Sequence, residues 1–197
     1  GGLSWQSCDS GLPKNDDERV GAYVKSLAID PLNSNVIYAG TGGWVGQGHG
    51  VYKTTDGGDT WLSSNRGMLD YRITAVAADP TDSQIIYAGS DRGEFFKSSD
   101  GGTTWTDLTD NLPNTQYSFA TVQVIEIDPA DPHLIYVLID WLGLLSSSDG
   151  GLSWNHYGRP DATEDLSFTD MAICSGIPAK AIVGIERNGC WRYEITP

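Results

Sequence analysis

The chain has 197 residues, enough for one domain with a sizeable core. Its 26 acidic and 12 basic residues leave a formal charge of −14 at pH 7, and no lysine or arginine cluster offsets it locally, which argues against nucleic acid and anionic membrane as partners. No apolar run approaches the roughly 20 residues of a membrane-spanning helix, so membrane insertion is not expected. The three cysteines, Cys8, Cys174 and Cys190, have no metal-site spacing, and neither a metal nor a cofactor is expected.

Residues 1 to 5 read GGLSW, and the same five letters return at 150 to 154. Four short alternating segments then follow one another: 24 to 29, 36 to 40, 51 to 55 and 60 to 64. Their β-branched content and their Gly, Asp and Pro punctuation indicate strands, and no stretch carries a helical period. The pattern is then repeated. Asp30-Pro31, Asp79-Pro80 and Asp128-Pro129 keep an interval of 49 residues, and so do Tyr38, Tyr87 and Tyr136. The second unit runs from Ile73 to just beyond Trp105 and the third from Val122 to about His156. A degenerate fourth has segments at 168 to 174, 181 to 185 and 190 to 195. Four strands per unit of 40 to 50 residues is the signature of a β-propeller blade. The expected fold is therefore all-β: one propeller domain over 1–197, with four blades of four antiparallel strands. The N-terminal GGLSW segment supplies the missing fourth strand of the last blade; the alternative is a fragment of a larger propeller, cut inside a motif.

Between the third and fourth strands stand TTDGGDTW (54 to 61), SSDGGTTW (98 to 105) and SSDGGLSW (147 to 154). An active site is built once, so a motif used three times reads as structural. Asp56, Asp100 and Asp149 accept hydrogen bonds from turn N–H groups. The glycines adopt positive φ, and Trp61, Trp105 and Trp154 return into the space between blades. These residues resemble the Asp-box, S/T-x-D-x-G-x-T-W, and the chain is similar over essentially its whole length to Asp-box propellers. That group includes bacterial sialidases, xyloglucan-active glycoside hydrolases, sortilin-type receptors and a photosystem assembly factor. The resemblance specifies a fold and leaves function to the loops.

In an up-and-down blade the Asp-Pro turns and the Asp-boxes share one end of the ring. The irregular loops share the other, which is where binding resides. Trp44 and Trp141 lie in second-to-third-strand loops and, beside Asp and Glu, form an aromatic platform for a sugar ring or a protein surface. His49, Asp70, Tyr71, Arg72, Asp91, Arg92, Glu94, Asp140 and Arg187 complete the candidate binding face. His49 has no second histidine near it and is not read as a metal ligand.

An enzyme reading has two versions. A glycosidase needs two carboxyl groups at a controlled separation, and Asp70, Asp91, Glu94 and Asp140 are the loop-face candidates. Tyr71-Arg72-Ile73-Thr74 resembles the F/Y-R-I-P arginine motif of sialidases, which implies that Arg72, with Arg92 and Arg187, grips a substrate carboxylate. Thr74 replaces the proline, however, and no tyrosine–glutamate pair is assignable. The expected function is a noncatalytic, exported (secreted or periplasmic) binding module for carbohydrate or a protein surface. The alternative is a glycoside hydrolase or a fragment of one.

Ring closure makes one further expectation. Matching Gly189 to Gly50 and Gly1 to Gly57 places Cys190 at the position of Val51 and Cys8 at that of Ser64. A four-residue turn over 56 to 59 opposes Val51 to Ser64, so Cys8 and Cys190 are expected to form a disulfide across the seam.

Overall fold

The computed structural model describes residues 4–14, 23–42, 48–69, 72–113, 120–159, 167–174, 179–186 and 189–195. Four antiparallel sheets follow one another along the chain. The first contains β1 (Tyr23–Ile29), β2 (Ile37–Gly42), β3 (Gly48–Thr54) and β4 (Leu62–Ser63); the second contains β5 (Ile73–Ala78), β6 (Ile86–Ser90), β7 (Phe95–Ser98) and β8 (Thr106–Asp107). The third contains β9 (Val122–Ile127), β10 (Ile135–Ile139), β11 (Gly143–Ser147) and β12 (Asn155–Gly158). The last has three strands: β13 (Phe168–Cys174), β14 (Ala179–Ile185) and β15 (Gly189–Ile195). Within each sheet the strands pair in chain order, the up-and-down blade that the 49-residue interval implied. A 3-10 turn, Thr109–Asn111, follows β8; no helical period announced it.

The Asp-bearing turns are closed by more than their carboxylates. Thr54, Ser98 and Ser147, two residues before each aspartate, donate to its Oδ1. Each of these hydroxyls also accepts the N–H of the second glycine, at 3.1, 2.8 and 2.8 Å. Four residues after the aspartate, Thr60, Thr104 and Ser153 give their N–H to Oδ1 and their hydroxyl to Oδ2. The S/T positions of the motif are therefore hydrogen-bond partners of the carboxylate, and both glycines of each turn have positive φ. These bonds favour the ionised form, led in Asp100 and Asp149 by the following hydroxyl, and hold both carboxyls down to about 2. Asp56 is lowered further still.

The same turns dock one sheet on the next. Tyr38 Oη and Lys53 Nζ both donate to the carbonyl of Gly101 in the following sheet, at 3.0 and 2.7 Å, with the ammonium over the tyrosine ring. Tyr87 and Lys97 reach Gly150 in the same way, at 3.5 and 3.4 Å. Burial pushes the Tyr38 hydroxyl up to about 12, so it remains a donor. Trp105 Nε1 donates back to Ser64 O at 2.7 Å. Trp154 Nε1 has no partner among the described residues, and the carbonyl at the corresponding place, Leu108 O, accepts the N–H of Asn111 in the 3-10 turn. The core consists of these interfaces: Val76 packs with Tyr38 and Val51, and Ile125 with Ala75 and Phe95. Gly89 lets β9 approach, since a Cβ there would collide with Cγ1 and Cβ of Val122.

The expected four-blade closure is not what the structure shows. β1 packs on β5, β5 on β9 and β9 on β13, but no comparable contact joins β13 to β1. A four-blade ring would bring the fourth sheet back against the first, and among the described residues it does not pack there. The N-terminal segment nevertheless occupies a fourth-strand place. Trp61 Nε1 donates to Cys8 O and Trp61 N to Ser10 O, as Trp105 does to Ser64 O and Arg66 O. Cys8 thus matches Ser64, as the register implied, and Val51 O does accept from Ser64 N. Residues 4–9 are not strand and do not pair with β15 in the same chain. The Cys8–Cys190 disulfide is consequently absent, and all three cysteines are free and exposed.

Two outcomes are expected. Gly89→Ala should destabilise the domain by about 1–3 kcal/mol in chemical denaturation, the cost of overpacking a fixed interface. The three turn carboxylates bind protons less tightly folded than unfolded. Their contribution is therefore present above the unfolded value of 3.8 and is lost as pH falls toward about 2. In Asp100→Ala the melting temperature should be lower than in the parent at pH 7, and the gap should narrow at pH 2 to 3.

Candidate functional site

The Asp-Pro turns and D-G-G turns do share one end of the sheets: Gly57 N donates to Asn35 O, Gly101 N to Gln84 O, and Ser83 Oγ reaches Asp30 in the preceding sheet. The opposite end carries the turns after β6, β10 and β14. Each of these starts with a carboxylate residue whose N–H donates to the residue ahead of the inner strand: Asp91 to Arg72 O, Asp140 to Thr121 O and Glu186 to Ser167 O. Arg72, Asp91, Arg92, Glu94, Asp140 and Trp141 all lie on this end. Trp44, Asp70, Tyr71 and Arg187 lie outside the described residues. His49 sits in β3, where its carbonyl accepts from Asn65 and its Nε2 is buried without a partner among the described residues.

The carboxylates of this face are not equivalent. Asp91 is ion-paired with Arg72. Glu94 accepts from the buried Ser90, whose hydroxyl in turn accepts the N–H groups of Arg92 and Glu94. That fixes the β6–β7 turn. A cavity of about 440 Å³ opens beside it, between Arg92 and Gly93, the Thr109–Pro113 segment, Ala120, and Ile139 of β10. Asp140 occupies the register of Asp91, but Thr121 stands where Arg72 would be. Its partners are Gln123 Nε2 at 2.6 Å and Phe168 N at 3.2 Å. Burial raises its carboxyl above the ordinary range, against the pull of Gln123, Phe168 N–H and the Arg159 charge.

The turn after Asp140 holds the most unusual backbone among the described residues. Trp141 is the one non-glycine residue with positive φ among those described, at 67°, and is 37% exposed. A bulky side chain resists that conformation. The turn is fixed around it: Leu142 N donates to Ile139 O, Gly143 follows with φ 98°, and the His156 ring is 2.7 Å from Leu142 O. The Arg159 guanidinium lies 5.3 Å from the Trp141 ring centroid, so one side of the indole carries a cation. Sequence reasoning missed Arg159, Gln123 and His156. Their signal was positional, since Arg159 directly follows β12 at the loop end and Gln123 lies one residue into an inner strand.

No family model and no curated protein matches the sequence. Solved structures match its fold. The GH74 xyloglucanase from Xanthomonas campestris aligns over 95% of the chain with a TM-score of 0.69 and 18% identity. The GH74 enzyme of Niastella koreensis aligns over 87% with a TM-score of 0.65 and 22% identity. YCF48 bound to a D1 peptide aligns over 93% with a TM-score of 0.58 and 13% identity. The chain spans 31% and 28% of the two GH74 chains and 57% of YCF48. These likenesses, with the four serial sheets, make the fold that of a β-propeller.

Because the Asp140 carboxyl binds its proton more tightly folded than unfolded, its ionised form weighs against folding above 3.8. Asp140→Asn keeps an acceptor for Phe168 N and, with Gln123 rotated, a donor–acceptor pair. It should match or exceed the parent in stability at pH 7, whereas Asp140→Ala should lose about 1 kcal/mol; urea denaturation of the two variants checks this.

Proposed function

We propose that the chain is a binding module of the Asp-box propeller group, exported, noncatalytic, and engaging carbohydrate or a protein surface with its loop-rich end. The observation that carries this reading is the Asp140–Gly143 turn. A tryptophan is held in a strained backbone, locked by Leu142 and His156, and left partly exposed with a guanidinium on one side. Strain maintained by its surroundings is a mark of sites where a side chain must be presented in one pose. Flat indole surface with a neighbouring cation suits a sugar ring or an aromatic or acidic side chain of a partner. The carboxylates nearby are committed to the frame, Asp91 to Arg72, Glu94 to Ser90, and Asp140 to Gln123 and Phe168 N–H. That favours a rigid rim over an acid/base pair.

A second reading, part of a glycoside hydrolase, is favoured by the fold shared with GH74 enzymes and by the raised Asp140 carboxyl, the state a general acid requires. A glycan array and a chromogenic glycosidase panel run on the same preparation separate the two. Binding without turnover supports the module. Turnover that Asp140→Asn abolishes supports the hydrolase. For the module, Trp141→Ala should weaken ligand binding on the order of tenfold or more while the melting temperature does not fall. Equal affinity in the variant would remove the platform.

A further inference from the structure

The junction of the first sheet with the second and that of the second with the third share one frame. In each, a lysine crosses to the first glycine carbonyl of the next D-G-G turn, Lys53 to Gly101 O and Lys97 to Gly150 O. The residues after the outer strand correspond as well. Ser64 N donates to Val51 O as Leu108 N does to Phe95 O. Asn65 Oδ1 accepts the N–H of Val51 as Thr109 Oγ1 accepts that of Phe95. Arg66 therefore holds the register of Asp110.

The second junction is filled. Leu108 packs against the core there, beside Gly151, and Asn111 Nδ2 from the 3-10 turn donates to Gly151 O at 3.2 Å. At the first junction Ser64 replaces Leu108, and no 3-10 turn follows over 64–69. A groove of about 310 Å³ is left between the outer strand of the first sheet and the D-G-G turn of the second. Ser63 and Arg66 stand where the second junction has Asp107 and Asp110. The groove is thus lined by two cations, Lys53 and Arg66, and by no carboxylate. In a chain with 26 acidic and 12 basic residues, that is a local reversal of charge.

Both cations have donors to offer. An ammonium carries three N–H groups, and Gly101 O takes one from Lys53. Among the described residues the Arg66 guanidinium makes no ion pair and no hydrogen bond, while the Arg66 carbonyl holds Trp105 N. The carboxylates of the two adjoining turns, Asp56 and Asp100, are each bonded to two hydroxyls of their own turn rather than to either cation. Ser63 Oγ accepts from Asn65 Nδ2, which leaves its O–H as a further donor. We infer that this groove is a binding site for the oxyanion group of a small ligand, a sugar phosphate or a uronic acid, with Arg66, Lys53 and Ser63 as its donors. Its volume is at the small end of ligand sites, which run to roughly 300–1,000 Å³. The formal charge of −14 repels a polyanion, which restricts the ligand to one with few charges. The groove lies at the Asp-box end, opposite the Trp141 turn, and stands independently of the function proposed for that turn.

The test is a titration of the nitrogen-15-labelled 197-residue chain, with the amides of Ser63, Gly102 and Thr103 followed by NMR. Inorganic phosphate, glucuronate, glucose and sodium chloride are added at matched ionic strength. Phosphate, glucuronate or both should shift these amides saturably, and whichever does so names the source of the oxyanion. Arg66→Asp gives the first junction the acid that the second has at this register, and it should weaken the binding on the order of tenfold or more. Arg66→Gln removes the charge alone and should weaken binding in the same direction. The Arg66 side chain is exposed, so both variants should keep the melting temperature of the parent. Shifts that do not saturate, equal shifts with chloride, or saturation by glucose alone would overturn the inference. So would an affinity unchanged in both Arg66 variants.

Discussion

The carbonyl of the first glycine in each D-G-G turn is the point on which the blade-to-blade arrangement depends. Gly101 O and Gly150 O each receive a tyrosine hydroxyl and a lysine ammonium from the sheet before. Their direction is set by a turn that two hydroxyls and one carboxylate close. A carbonyl aimed by a fixed turn carries orientation as well as energy, because charge-assisted donors are directional and lose strength quickly off axis. In the second and third sheets the turn therefore holds its own hairpin together and docks the preceding sheet. This gives the motif a structural reason to recur in the chain.

The strands, their order and the end of the sheets on which the loops fall were legible in the sequence. Asp-Pro, Tyr, D-G-G and Trp recur at fixed offsets, and each is a local signal with a local cause. The serine and threonine of the motif were visible but unassigned, because their partners became clear only when the carboxylate had a geometry. Lys53 and Lys97 were invisible as docking residues, since the acceptor is some 50 residues away in the next sheet. Whether the sheets close into a ring was the largest loss. It depends on how one sheet packs on the next, at contacts such as Gly89 against Val122, and no periodicity encodes it. Four strands per repeat could be counted from letters; the number of blades in a full turn could not.

The loop end follows a different logic. Asp91 and Asp140 occupy one register, and both donate N–H to the residue before the inner strand, yet their electrostatics diverge because Arg72 in one blade is Thr121 in the next. One carboxylate is neutralised in an ion pair. The other is half-buried beside an amide and a backbone N–H, with its proton held more tightly. Repetition thus provides an internal control: the scaffold is held constant from blade to blade, and what varies at a fixed register is where a site can arise.

Trp141 fits that pattern. At its place in the second blade stands Arg92, in a turn held by the Ser90 hydroxyl and without the backbone strain of the third. The third blade gives up that hydroxyl for Ile139 and places an indole at positive φ instead, with His156 and Arg159 from its outer strand and its continuation closing around the turn. A glycine would satisfy the same backbone at lower cost. The Arg159 guanidinium against the ring contributes to offsetting the extra cost of tryptophan, and the part of the indole left exposed directs attention to this turn rather than to the acidic residues that outnumber it on the same face.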